Sequence, residues 1–150
     1  MKDQRKDAGL AAWRAMLLAY NAALREIEAD VRRDAPIPLT WYDVLLELDA
    51  APGRRLRMRE LGERVVLSRT RVSRLVEEMA RQDLVRKEPD DRDARVTWAA
   101  ITPAGRTALR RTAPVYLAGI DRHFARHLDE RSLTSVARAL TKVARAHGRE

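Results

Sequence analysis

A basic amphipathic segment followed at once by a charged hairpin is the feature that most narrows what this chain can fold into. Between Ser68 and Leu84 the apolar residues recur at intervals of three and four, which is the spacing of one stripe along an α-helix. From Ser68 to Val76 the segment contains three Arg and no acid. Ser68 is expected to cap the first turn, because its hydroxyl can accept from an otherwise unpaired backbone N–H. The pattern predicts a helix with one buried face and one basic face.

The basic face of this helix carries chemistry suited to nucleic acid. Arginine and hydroxyl side chains donate hydrogen bonds to phosphate, and arginine also fits the edge of guanine. The candidate contacts on this face and its flanks are Ser68, Arg69, Thr70, Arg71, Ser73 and Arg74. A basic outer face also occurs on helices that meet only solvent, so the neighbouring segments must decide between the two interpretations.

The neighbours of the basic helix predict a winged helix. A short helix over residues 59–65 and a tight connection at 66–67 precede it, which together form a helix-turn-helix. Residues 84–88 and 96–101 read as two strands around a charged turn at 89–95. The turn would present Arg92 and Arg95 to a DNA backbone or minor groove. Asp93, an anion, is expected to hold Arg95 or a helix N–H in place, and the alternative for the whole turn is a solvated polar loop.

Long helices are predicted on both sides of this central region. Leu10 to Val31 carries an apolar a/d seam over three heptads, which favours a contact between subunits, although it could also pack within one chain. Residues 1–9 are expected to fray, and a helix over 39–50 is expected to be capped by Thr40. Thr102 and Pro103 open a further helix that should continue to Leu128, and Pro114 should kink it near residue 110. A last helix spans 133–143.

Composition excludes several classes of protein. The 150 residues suit one domain, and the net charge of +8 with a pI near 10.7 suits a polyanionic partner, although GC-rich coding would give a similar excess of Arg and Ala. The net charge is −2 over residues 1–53, +4 over 54–95 and +6 over 96–150. The absence of Cys excludes disulfides, thiolate metal sites and thiol redox sensing. With no signal-peptide core or long apolar run, we expect a cytoplasmic protein with no membrane contact.

Residues 67–106 resemble the MarR family of winged-helix regulators. The resemblance is carried by the hydroxyl-rich and basic opening of the central helix and by three short motifs. These are Leu84-Val85-Arg86-Lys87, the wing motif Asp93-Ala94-Arg95, and Ile101-Thr102-Pro103-Ala104-Gly105. Asp83 departs from the Gly usual in the family, but Asp tolerates a left-handed backbone better than most residues. The wing motif could instead be shifted to Asp90-Asp91-Arg92, although the spacing to Thr102 favours the later pair.

The resemblance implies a mainly α fold with a small β-wing, in a single MarR-type domain over residues 1–150. Residues 39–102 would form the winged helix-turn-helix lobe that binds double-stranded DNA, and residues 10–33 and 103–147 would form dimerisation helices. The function implied is a homodimeric repressor on a pseudo-palindromic operator, released by a small, often anionic aromatic effector and needing no cofactor. Residues that could line the effector cleft are Trp13, Arg14, Tyr20, Trp41 and Tyr42.

Two other functional classes are weighed against this one. An enzyme is not expected, because no phosphate loop, paired-acid motif or nucleophile triad stands out. His123 and His127 lie four residues apart, as zinc ligands on one helix face can, but no second cluster completes a metal site, so a solvated face is the better account. The alternative is a winged-helix module that binds protein without specific DNA binding.

Overall fold

The computed structural model describes the backbone of residues 2–65 and 69–148 and the side chains of residues 4–65 and 71–148. Its regular elements, in chain order, are α1 (Lys2–Asp34), α2 (Leu39–Ala50), β1 (Arg55–Arg57), α3 (Met58–Arg64), α4 (Arg69–Arg81), β2 (Val85–Pro89), β3 (Thr97–Ile101), α5 (Pro103–His123) and α6 (Glu130–Ala146). The chain divides into two compact units, which we call the central unit (Asp30–Tyr116) and the terminal unit (residues before 30 and after 116). The predicted mainly α fold with a small β-wing is confirmed.

The central unit combines a three-stranded antiparallel sheet with α2, α3 and α4. The strand order is β1-β3-β2, so the central strand β3 pairs with both others. Ala99 of β3 lies opposite Leu56 of β1 on one side and opposite Lys87 of β2 on the other. The apolar stripes of the helices supply most of the fully buried side chains of this unit. These include Val44, Leu45, Leu48, Leu61, Val72, Val76 and Met79.

The turn after α4 is fixed by a left-handed residue. Asp83 has φ +57, as expected for the position where the family usually has Gly, and the Leu84 N–H donates to the Met79 carbonyl at 2.9 Å. Because Leu84 is thus bonded back to α4, β2 begins at Val85 and not at Leu84 as predicted. Likewise the Val96 N–H closes the wing turn on the Asp93 carbonyl, so β3 begins at Thr97.

The start of α5 is held against this same turn. The Thr102 hydroxyl donates to the Asp83 carbonyl, and its oxygen accepts from the Gly105 N–H at 2.9 Å, which confirms Thr102 as the cap ahead of Pro103. A Cβ at Gly105 would lie far inside van der Waals distance of the Leu84 carbonyl oxygen. Gly105 is therefore the residue that lets the backbone of α5 approach the end of α4.

In the terminal unit, three of the predicted helix boundaries are corrected or refined. The first helix begins at Lys2 and not near residue 10, so the predicted fraying of residues 1–9 is wrong for the described ones. Helix α5 continues through Pro114 but ends at His123, because Phe124 leaves the helical region with φ −135. Helix α6 begins at Glu130, where the Asp129 carboxylate caps it by accepting from the Ser132 N–H at 2.7 Å.

The cap predicted for α2 is wrong. The helix begins at Leu39, one residue before Thr40, and the residue in the cap position is Pro38, which contributes no side-chain hydrogen bond. Pro38 has an extended backbone, and its carbonyl accepts from the Trp41 and Tyr42 N–H groups at 3.0 Å. Thr40 therefore lies inside the first turn, where its hydroxyl is not required as a cap.

Candidate functional site

Helix α4 presents a basic surface from the central unit. Arg71, Ser73 and Arg74 are exposed, while Val72 and Val76 on the other face are buried. The predicted division into one buried and one basic face therefore holds for the first half of the helix, and the exposed acids Glu77 and Glu78 follow in the second half. Arg69 and Thr70 belong to α4, but their side chains lie outside the described residues, as does the whole of Ser68.

Three hydrogen bonds accepted by the Asp90 carboxylate, which we call the brace, fix the wing turn. The Trp98 indole N–H donates to Asp90 Oδ2 at 2.8 Å, and Asp90 Oδ1 accepts from the backbone N–H groups of Arg92 and Asp93 at 3.0 and 3.1 Å. These hydrogen bonds, the one from Trp98 first, lower the pKa of Asp90 below its usual range. One carboxylate therefore ties the loop backbone to strand β3.

The wing motif forms its own ion pair. Asp93 accepts from the Arg95 side chain at 3.1 Å (Nε) and 3.2 Å (Nη2) and from the Arg95 backbone N–H at 3.0 Å. The Arg95 side chain lowers the pKa of Asp93, followed by the backbone bond. Of the two alignments of the wing motif, the later one thus contains the paired Asp and Arg. In the earlier alignment, Asp90 bonds the backbone of Arg92 and not its guanidinium.

Four residues beside the wing were missed by the sequence analysis. The guanidinium carbons of Arg55 and Arg57 lie 4.6 and 5.2 Å from the centre of the Trp98 ring, which is cation–π distance. Glu88 accepts from Arg86 at 2.9 Å and from Arg55 at 3.3 Å, and these two partners, Arg86 first, lower its pKa. The signal in the sequence is the pair Arg55 and Arg57, two residues apart in β1 and therefore on one face, and the single Trp in β3. Only the register of the two strands shows that these side chains meet.

The brace predicts a pH dependence for the wing. The pKa of Asp90 is lowered in the folded protein, so its ionised carboxylate stabilises the fold. This stabilisation is complete above the ordinary pKa of 3.8 and is lost as pH falls through the lower pKa of the folded state. In proton–nitrogen NMR spectra, the Trp98 indole resonance should stay constant from pH 7 to 5 and shift below pH 4. The indole resonances of Trp13 and Trp41 are internal references, and a Trp98 resonance already shifting near pH 6 would contradict the brace.

The residues proposed for an effector cleft fall in both units. Trp13, Arg14 and Tyr20 are exposed on α1 in the terminal unit. Trp41 is half-buried in the central unit, and Tyr42 is a core residue whose ring centre lies 5.0 Å from that of Tyr116. Burial of Tyr42 raises the pKa of its hydroxyl. Their role in effector binding stays a prediction.

The two histidines four residues apart do not share a helix face. His123 is the last residue of α5 and His127 closes the 3-10 turn that follows, so the predicted helical spacing is wrong for this pair. Both line a cavity of about 380 Å³ in the terminal unit, with Glu26, Phe124, Leu128 and alanines of α1. Among the described residues no group of three or more potential metal ligands comes together, and no helix is long and apolar enough to cross a membrane.

Comparison with known proteins identifies the family of this fold. The family model described as MarR family matches residues 35–96, which include the helix-turn-helix and most of the wing. Sco3205 of Streptomyces coelicolor, a MarR family transcriptional regulator solved in complex with DNA, is 29% identical, with a TM-score of 0.82 over 91% of this chain and 86% of that chain. The chain therefore has the fold of the MarR family of transcriptional regulators.

Further MarR structures match over similar lengths. AbsC of Streptomyces coelicolor is 29% identical, with a TM-score of 0.82 over 93% of this chain and 94% of that chain. BpsR of Bordetella bronchiseptica, solved to explain how 6-hydroxynicotinic acid regulates its DNA binding, has a TM-score of 0.77 over 87% of this chain and 91% of that chain. At 16% identity, BpsR shows only that the MarR fold is shared. No curated protein is significantly similar to the chain.

Proposed function

We propose that this protein binds duplex DNA sequence-specifically and represses transcription as a homodimer on a pseudo-palindromic operator. The observation that carries the proposal is the exposed basic face of α4, whose opposite face is anchored in the core. A helix held in this way can enter a major groove and present Arg71 and Arg74 to base edges and phosphates. Sco3205, which shares 29% of its residues with this chain, was solved bound to DNA.

The wing supplies the second part of the proposed interface. Arg92 and Arg95 are exposed, and Asp93 holds the Arg95 guanidinium close to the loop backbone. A side chain already held in place loses less conformational freedom on binding than a mobile one. We assign Arg92 and Arg95 to the DNA backbone or minor groove beside the major groove entered by α4, and Asp93 to positioning Arg95.

The apolar seam of α1 supports the homodimer. Its C-terminal residues Ile27 and Val31 are buried, whereas Leu10, Trp13 and Tyr20 are each about 60% exposed. Helix α6 likewise exposes Leu140 and Val143. We propose that a second copy of the chain covers these side chains and that residues 10–33 and 103–147 provide the dimer contacts. Two copies of α4 related by a two-fold axis would then read two half-sites.

Release by a small effector completes the proposal. The effector would bind the DNA-free arrangement of the dimer more tightly than the DNA-bound arrangement. The affinity of the protein for DNA then falls by the ratio of the effector's affinities for these two arrangements. The exposed α1 residues Trp13, Arg14 and Tyr20 have the aromatic and cationic chemistry that suits an anionic aromatic molecule. BpsR, whose DNA binding responds to 6-hydroxynicotinic acid, gives a starting ligand for screening.

In vitro selection from random duplexes tests the proposed function. We expect an inverted repeat with half-site centres about 10 base pairs apart, because the two copies of α4 read successive turns of one groove. The selected duplex should bind at least about a thousandfold more tightly than a scrambled one at physiological salt. Failure to enrich any motif would refute sequence-specific regulation and favour the protein-binding module.

A further inference from the structure

Helix α6 carries a straight line of four cations, Arg131, Arg138, Lys142 and Arg145, which we call the α6 ridge. At 100° per residue these four positions fall within an arc of about 60°, and they extend over roughly 21 Å of the helix. All four side chains are exposed, and none forms an ion pair with any other residue that the structure describes. Glu130 is the only acid of α6, and it precedes the ridge.

The ridge lies on the face of α6 opposite its apolar stripe. Leu133 and Val136 of that stripe are half-buried, and Leu140 and Val143 are exposed in the single chain. If the stripe packs against protein, the ridge faces solvent in the assembled molecule. Basic residues on other elements are commonly paired with nearby acids, as Arg59 is with Glu63 at 3.1 Å. The unbalanced charge of the ridge therefore marks a surface suited to an anionic partner.

We propose that the α6 ridge binds the phosphodiester backbone of duplex DNA, as a contact separate from helix α4. Arginine pairs bidentately with phosphate, and a straight row of cations about 21 Å long can meet several phosphates of a regular polyanion. The inference rests on the proposed DNA binding of this chain, which already brings duplex DNA to the molecule. Such a contact carries no sequence information and adds to the salt dependence of binding.

The placement of the charges argues against insertion of α6 into an anionic membrane. A helix that lies in a membrane surface inserts its apolar face, and its Lys and Arg reach the headgroups from beside that face. Here the ridge is centred about 180° from the stripe, so an inserted stripe would point the four cations away from the lipid. Duplex DNA needs no inserted apolar face and remains the partner that fits.

The test is the binding of a random-sequence duplex of 40 base pairs across a salt series. The ridge variant R131Q/R138Q/K142Q/R145Q is compared with wild type and with the control R5Q/K6Q/R25Q/R32Q, which removes the same charge from scattered exposed positions of α1. In the ridge variant only, we expect the slope of log K against log salt to fall by about 0.9 for each phosphate that the ridge no longer neutralises. Equal slopes for the two variants would overturn the proposal.

Two further measurements keep this result separate from the proposed function. Far-ultraviolet circular dichroism and thermal melting should be the same for the ridge variant and wild type, because none of the ridge residues is buried or paired within the described residues. They should change little in the control variant, which loses the exposed ion pair between Arg25 and Glu26. The ratio of affinities for the selected and scrambled duplexes reports on α4, and the ridge variant should not lower it. If the ridge variant loses binding to vesicles containing phosphatidylserine but keeps its DNA salt slope, the partner is a membrane and the proposal is wrong.

Discussion

Trp13→Asp is expected to dissociate the proposed homodimer. The Trp13 side chain is 57% exposed in the single chain and lies in the uncovered half of the α1 seam. Each large apolar side chain buried at a dimer interface contributes about 1.5–3 kcal/mol. The proposed dimer contains two copies of Trp13, so the substitution should weaken dimerisation roughly 100- to 20,000-fold. Sedimentation equilibrium should show wild type at twice the chain mass of 17.1 kDa and the variant at the chain mass.

Ala15→Asp is the matched control for this change. Ala15 is exposed on the same helix, about 170° from the centre of the seam. Its substitution by Asp therefore introduces the same charge away from the proposed interface. It should sediment as wild type does. The variant Trp13→Asp should also lose operator affinity, because a single protomer reads one half-site. A wild-type protein that binds its operator while sedimenting at the chain mass would contradict the dimer.

Gly105→Ala is expected to destabilise the protein by roughly 2–3 kcal/mol, although alanine is the better helix former. The added Cβ would clash with the Leu84 carbonyl, a backbone atom that also accepts from the Thr102 N–H and cannot rotate away. Relief of the clash would separate the start of α5 from the end of α4. Urea unfolding at one fixed protein concentration measures the change, since the proposed dimerisation would make the midpoint depend on protein concentration.

Gly119→Ala in the same helix provides the comparison. There the new Cβ would meet Ile27 Cγ1 at 3.4 Å, a side-chain atom at nearly ordinary contact distance. We expect the urea midpoint of this variant to equal or exceed that of wild type. The higher helix propensity of alanine raises the free energy of unfolding by up to about 1 kcal/mol. If both glycine variants had equal midpoints, the close approach at Gly105 would not be a determinant of stability.

The features that could be predicted from the sequence are those set by local patterns. The stripe of α4 follows from residue spacing, because helical periodicity decides which side chains share a face. The cap at Thr102 follows from the properties of a single residue, and the left-handed backbone at Asp83 follows from the family's usual Gly at this position. The resemblance to the MarR family added the wing motif, in which Asp93 and Arg95 are paired.

The features that could not be predicted depend on contacts between distant segments. The stacking of Arg55 and Arg57 on Trp98 requires the register of β1 on β3, which no local pattern specifies. The end of α5 at His123 has no Gly or Pro signal beside it, and the sequence therefore favoured a longer helix. Periodicity also located the α1 seam without indicating that its C-terminal half is covered within one chain and its N-terminal half is not.

The most direct test of the account is fluorescence anisotropy of Arg74→Ala on the selected operator and on its scrambled form. If α4 reads the operator, removing this exposed arginine should cost about 1–3 kcal/mol per base pair contacted, and the reduction in affinity should be larger on the operator than on the scrambled duplex. Arg25→Ala, which removes one exposed charge from α1, should leave the ratio of the two affinities unchanged. An equal reduction on both duplexes would restrict Arg74 to phosphate contact, and no reduction on either would contradict the assignment of α4 as the DNA-reading helix.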